Sequence, residues 1–278
     1  MVGQVFGALM RALLVGLTVT LPASLLPDTA TDAAQIVVLF ALFAGVLVGV
    51  EYAARYPGLI EFRHAPPYNR IRFLALATVL LLLSLLMRDA MVPSTLTGFV
   101  AALGGMLGQW LDFPYSPVRL LLLTLPATTP PGDIAVLRAA AGLAAGVALT
   151  VVALFGLRLW RSNWPARHAA FNVWVNLPIF DPTAGGDVVA RLERDARTCL
   201  VLGALMPFLT PALVLAGGSL LVPLSQAGVQ TQIWVVAAWA FLPASMIMRG
   251  VGMWRVARMI RFKRTELADS AEARVQAA

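Results

Sequence analysis

The chain predicts an all-α fold: a polytopic transmembrane helical bundle of about six spanning helices, plus a broken or re-entrant element at 92–127. If that element spans twice, the crossings number eight. Three observations carry this expectation. Apolar stretches of roughly 20 residues, the length a helix needs to cross hydrocarbon, recur along the 278 residues. Hydrophobic residues make up 59% of the chain and the mean hydropathy is +0.81, whereas a soluble domain is about half apolar. Finally, arginines gather on alternate connections between the apolar stretches, as they do in membrane proteins whose basic loops stay inside.

The spans fall at about 5–26, 34–54, 71–88, 134–157, 198–223 and 231–250. Neither polar connection, 55–70 or 158–197, is long enough to bury a core of its own. Residues 1–262 therefore read as one transmembrane domain, and 263–278 as a short polar cytoplasmic tail that frays. The N-terminal apolar run carries Arg11 inside it rather than a charge ahead of it, so it reads as a retained helix and not a signal peptide. Arg11 snorkels toward the headgroups.

Orientation follows from the basic residues. The connection Pro27–Asp32 has none, whereas the next holds Arg55, Arg63, Arg70 and Arg72. The connection at 158–197 holds Arg158, Arg161, Arg167, Arg191, Arg194 and Arg197, and the chain from Arg249 onward holds six arginines and Lys263. These place both termini on the cytoplasmic side of a cell inner membrane. A single crossing at 92–127 would send the six arginines of 158–197 outside, so that region crosses twice or not at all. Thr95 to Leu111 would span thinly, and Leu120 to Leu125 is cut short by Pro126, Pro130 and Pro131. A re-entrant or broken element is favoured. Three spans on each side of it give two halves of opposite topology, as in inverted-repeat transporters, with no internal sequence similarity between them.

Composition excludes several function classes. The net charge of +7 is spread along membrane edges and not on a nucleic-acid-binding face, so no nucleic acid partner is expected. Lys263 is the one lysine among 21 basic residues, which reads as high-GC bacterial coding. Cys199 is alone, so no intrachain disulfide forms and it reads as inert packing. His64 and His168 lie far apart, and no His-x-x-x-His or Cys-x-x-Cys spacing occurs, so no metal and no cofactor are expected. A Walker loop, a nucleophile elbow and a Rossmann glycine fingerprint are missing. No main span carries an acid near its middle, which gives proton-coupled transport and intramembrane catalysis no support.

The densest polar cluster is 51–72, with Glu51, Tyr52, Tyr56, Glu61, His64 and Tyr68 beside four arginines. Pro57-Gly58 and Pro66-Pro67 force turns, and Leu59, Ile60 and Phe62 draw the loop onto the membrane surface. Arg63, Arg70 and Arg72 are candidates for an anionic lipid headgroup, because guanidinium forks match phosphate oxygens. The plainer alternative is an ordinary basic loop in which Glu51 and Arg55 form an i,i+4 pair. Trp160, Trp164, Phe171, Trp174 and Phe180 mark an interfacial segment. Val188, Val189, Leu192, Ala196 and Cys199 recur at helical spacing, with Asp187 placed to cap that helix.

Gly45/Gly49, Gly104/Gly108 and Gly142/Gly146 are candidate helix-packing faces, each pair four residues apart in apolar sequence. Pro207 and Pro211 predict a kink in the fifth span. Asp112 and Arg119 form a candidate polar element in the membrane, flanking the broken region with Asp89, Arg88 and Arg138. The expectation for function is a non-catalytic accessory, assembly or scaffold subunit that packs against other membrane helices or a second copy. The alternative is a small-solute transporter or lipid-handling carrier. Expected partners are the bilayer and anionic phospholipid.

Overall fold

A computed structural model describes residues 2–27, 31–162, 164–165, 171–181, 183, 185–217 and 224–276. His168 and Arg167 lie outside the described residues, as does Asp28–Ala30 of the first connection. The protein is about 80% helical and has no strand among the described residues. The helices are α1 (Val2–Leu25), α2 (Thr31–Ala53), α3 (Tyr68–Asp89), α4 (Thr95–Leu111), α5 (Pro117–Leu123), α6 (Pro131–Trp160), α7 (Val173–Asn176), α8 (Val188–Gly217) and α9 (Val229–Gln276). Six of them, α1, α2, α3, α6, α8 and α9, are long and apolar enough to cross a membrane. This is a multi-pass membrane protein.

The six long helices alternate in direction. At one end Arg88 of α3 donates from Nη1 to the Leu25 carbonyl at 2.7 Å, capping the open C-terminus of α1. At the other, Gln4 of α1 meets the Ala53 carbonyl of α2 at 3.5 Å. The start of α3 and the end of α6 join there through Tyr68 and Phe155, with ring centroids 5.7 Å apart. That second end also gathers Arg55, Arg63, Arg70 and Arg158 around a single cavity, and the start of α1 and the end of α9 lie toward it.

Two of the long helices extend beyond their apolar spans. The amphipathic segment and the fifth span are one continuous helix, α8, whose buried face runs through Val189, Leu192, Ala196, Cys199 and Gly203. The described part of the C-terminal tail is helical: α9 runs 48 residues, to Gln276, about 72 Å at 1.5 Å per residue. Glu, Ala and Arg are strong helix formers without any apolar face. Arg264 pairs with Asp187 at 2.5 Å and Arg261 with Glu193, which bind the helix to the start of α8.

The region 92–127 dips into the bundle and returns. Ser94 and Thr97 form a capping box at the start of α4, and Thr97 Oγ1 donates to Asp89 at 2.6 Å, which fixes that start to the end of α3. The turn after α4 lies against the middle of α6, where Phe113 and Pro117 share a cavity with Ala145, Ala148 and Val152. Ser116 accepts from the Arg119 N–H at 3.0 Å and Pro117 opens α5. Leu125 then emerges beside Met87, Met91 and Asp133, at the end where the segment entered. Both of its ends therefore lie on one side.

Small residues set the closest crossings. A methyl group added at Gly142 would overlap the backbone of Gly108, and one added at Gly108 would lie 2.6 Å from the Arg138 carbonyl oxygen, so α4 and α6 touch backbone to backbone. Gly104 faces Leu143 and Ala139, and Gly146 faces Leu107. Gly45 and Gly49 both face Ala12, at 3.1 Å from its carbonyl oxygen and 3.3 Å from its Cβ, and so seat α2 on α1. The sequence spacing did not single out Gly203 and Gly250, which meet Pro243 and Ala196 where α8 crosses α9. Most of the surface of α2 is exposed, including Leu39, Phe40, Phe43 and Val46, as a lipid-facing helix requires.

Candidate functional site

Arg-rich connections 54–67 and 161–187 do not lie flat on the membrane surface as separate loops. Their described residues fold together into a cap over α8 and α9. Phe62, expected at the lipid surface, is 1% exposed and packs on Tyr68 at 4.5 Å and Trp164 at 5.4 Å. Its φ of 52° places it in the left-handed region, held by its N–H on the Asn176 carbonyl at 2.6 Å. Trp164 donates to the Ala65 carbonyl at 3.1 Å, and Arg255 of α9 donates to the carbonyls of Trp164 and Ser162. Of the aromatic residues expected along the interface, Trp164 and Phe180 are buried in this cap, while Trp160 and Trp174 face outward.

Charged groups in the 51–63 stretch are consumed by the fold in a way the sequence did not suggest. Glu51 does not pair with Arg55. Its carboxylate accepts from the N–H groups of Gly58, Leu59 and Ile60 at 2.9–3.2 Å. Arg63 closes the C-terminus of α2, donating from Nη1 to the carbonyls of Glu51 at 2.6 Å and Ala54 at 2.7 Å. With its Nε on His64 Nε2 at 3.2 Å, Arg63 offers little of its fork to a ligand. Burial first, and Arg63 second, hold the His64 pKa below its ordinary value.

Arg70 and Arg72 stand differently. The side chain of Arg70 is exposed and has no ion pair or hydrogen bond among the described residues. Arg72 lies over the Tyr68 ring at 5.3 Å, and its Nε is buried without a hydrogen-bond partner. Both line a cavity of about 930 Å³ between α1, α2, α3 and the 59–66 loop. The polar lining of this cavity is Arg11, Arg63, His64, Arg70 and Arg72, and its apolar lining includes Phe6, Met10, Leu14, Val48, Leu76 and Phe241. Arg11 does not reach out as an isolated snorkel. It lies 4.6 Å from the Tyr52 ring centroid and donates to the Gly7 carbonyl at 2.6 Å.

The polar element at Asp112 and Arg119 is also brought together, and the fold adds a third member. Asp112 lies 2.5 Å from Arg119 Nε and 2.9 Å from Arg138 Nε. Sequence reading placed these charges at the flanks of the broken element, but the turn carries Asp112 inward until its side chain is 6% exposed. The nearby cavity of about 340 Å³, beside Phe113, Pro207 and Trp239, is almost wholly apolar.

Cys199 is buried and 2.9 Å from Arg249, whose other nitrogens hold Glu61. Among the described residues no group of three His, Cys, Asp or Glu side chains is placed to hold a metal ion. Asp187 accepts from the Ala190 N–H at 3.2 Å, which caps α8. Comparison with family models, curated proteins and solved structures gives no match to this chain.

Proposed function

We propose that this protein resides in the inner membrane of a bacterium with both termini cytoplasmic, and holds an anionic phospholipid there as a non-catalytic accessory or lipid-handling component. The supporting observation is the 930 Å³ cavity, whose lining joins the guanidinium groups of Arg70 and Arg72 to apolar side chains of α1, α2 and α3. That combination matches a phosphate at the headgroup level with acyl chains beneath it. The basic end belongs on the cytoplasmic side, where anionic headgroups and retained arginines meet. Small-solute transport draws less support, because Asp112 is already paired and the cavity beside it is apolar. The exposed apolar face of α2 suits a lipid boundary or a neighbouring helix equally.

Native mass spectrometry on protein purified in mild detergent and titrated with dioleoyl phosphatidylglycerol tests the reading. Arg70→Gln with Arg72→Gln is expected to remove about 2 kcal/mol of headgroup attraction, roughly a thirtyfold weakening. A folded double variant that retains the lipid at wild-type affinity refutes the site.

A further inference from the structure

The lipid cavity does not end at its arginines. A second cavity of about 710 Å³ lies on the outer side of the same wall, and the two share Arg63, His64, Pro66 and Arg70. Its lining adds Arg55 and Arg158, from the end of α2 and the end of α6. No carboxylate lines it among the described residues. Arg55, Arg70 and Arg158 have no side-chain ion pair or hydrogen bond among them or with any described residue. The nearest acid in sequence, Glu51, is turned to the Gly58–Ile60 backbone and leaves Arg55 uncompensated.

Four guanidinium groups line this cavity; Arg63 is taken up by the carbonyls at the end of α2, and the other three repel one another with no carboxylate among the described lining residues to offset them. A single phosphate placed at Arg70 and Arg72 would leave Arg55 and Arg158 unneutralised. We infer, resting on the lipid-binding reading above, that the occupant is a membrane lipid whose headgroup carries two linked phosphates. Its chains fill the apolar chamber, its first phosphate sits at Arg72 and Arg70, and its second passes Arg70 to reach Arg55 and Arg158. Arg70 is the shared contact, so this one side chain faces both phosphates. The sharing of a wall argues against a separate site for a soluble anion, because a phosphate in the outer chamber alone would leave the adjoining, largely apolar chamber empty.

The test compares two probes with identical chains, dioleoyl phosphatidic acid and dioleoylglycerol diphosphate, binding to full-length protein in detergent micelles. The diphosphate lipid is expected to bind at least about tenfold more tightly, because two further guanidinium groups face its second phosphate. In Arg55→Gln with Arg158→Gln that advantage disappears while phosphatidic acid binds as before. Equal affinity for both lipids in the wild type overturns the inference, as does an advantage that survives in the double variant. Inorganic diphosphate competing as strongly as the lipid also overturns it. Loss of phosphatidic acid binding in Arg70→Gln with Arg72→Gln separates the two readings, because it tests the lipid site alone.

Discussion

Arg249 of α9 forks the carboxylate of Glu61, a residue 188 positions earlier, with Nε 2.6 Å from Oε2 and Nη2 2.8 Å from Oε1. Its remaining nitrogen reaches Cys199 Sγ of α8 at 2.9 Å. One guanidinium thus joins the cap to both long helices. Glu61 is 5% exposed, so its charge is tolerable only while that fork is closed.

Glu61→Ala strands Arg249 in a mostly buried position and should cost about 3 kcal/mol, whereas Glu61→Leu combined with Arg249→Met removes both charges and should recover most of the loss. Thermal unfolding in detergent, followed by tryptophan fluorescence, reads the difference. Equal losses in the single and double variants would show that the pair contributes no more than packing.

A second expectation concerns the crossing of α4 and α6. Gly142→Ala places a methyl group against the Gly108 backbone, which has no flexible end to yield. The helices must part, at a cost of roughly 1–3 kcal/mol for overpacking. Gly132→Ala is the control, because nothing lies within 4 Å of the added carbon. If the two variants unfold at the same temperature, the close approach of α4 and α6 is wrong.

Helices and their alternation were readable because a membrane imposes one rule on every residue of a span, and Leu80, Leu143 or Val236 obeys it whatever its neighbours are. The charges were harder to place. Asp112 and Arg138 sit at the ends of apolar runs in the sequence, and only the fold-back after Leu111 brings them 2.9 Å apart inside the bundle. Trp160 and Trp164 have the same amphipathic character, yet one is 81% exposed and the other 3%. What separates them is whether Ala65, a residue about a hundred positions away, offers a carbonyl. A guanidinium suits phosphate wherever it stands, but the open carbonyls at the end of α2 claim Arg63 first. Such competition depends on tertiary geometry and leaves no trace in spacing.

The Asp112 cluster should show graded sensitivity. Asp112 is 6% exposed and compensates two arginines, whereas the side chains of Arg138 and Arg119 are 35% and 46% exposed. Asp112→Asn leaves two cations facing each other across the re-entrant turn and should cost about 3 kcal/mol, as for other broken buried pairs. Arg138→Gln should cost less, and Arg119→Gln least, because its side chain is the least enclosed of the three. Unfolding midpoints in mixed micelles give the order. A reversed ranking would mean that Asp112 is not the buried centre of the group.

His64 supplies a pH dependence whose sign is fixed by its surroundings. Its pKa is depressed below the ordinary 6.5 by burial and then by Arg63. The folded protein therefore binds that proton less tightly than the unfolded chain does, so the stability it contributes is fully present above pH 6.5 and is lost as pH falls through the depressed value. The structural reason is direct: His64 Nε2 accepts from Arg63 Nε at 3.2 Å, and a protonated ring cannot accept. Between about pH 7.5 and about pH 5 the wild type should lose more thermal stability than His64→Asn, which removes the titration. An anionic headgroup in the adjoining cavity opposes this by favouring the charged imidazole. Wild-type protein in phosphatidylglycerol-containing micelles should accordingly lose less stability on acidification than in neutral micelles, and His64→Asn should show a smaller difference between the two lipids. Identical pH profiles in both lipids would place His64 outside the reach of any bound phosphate.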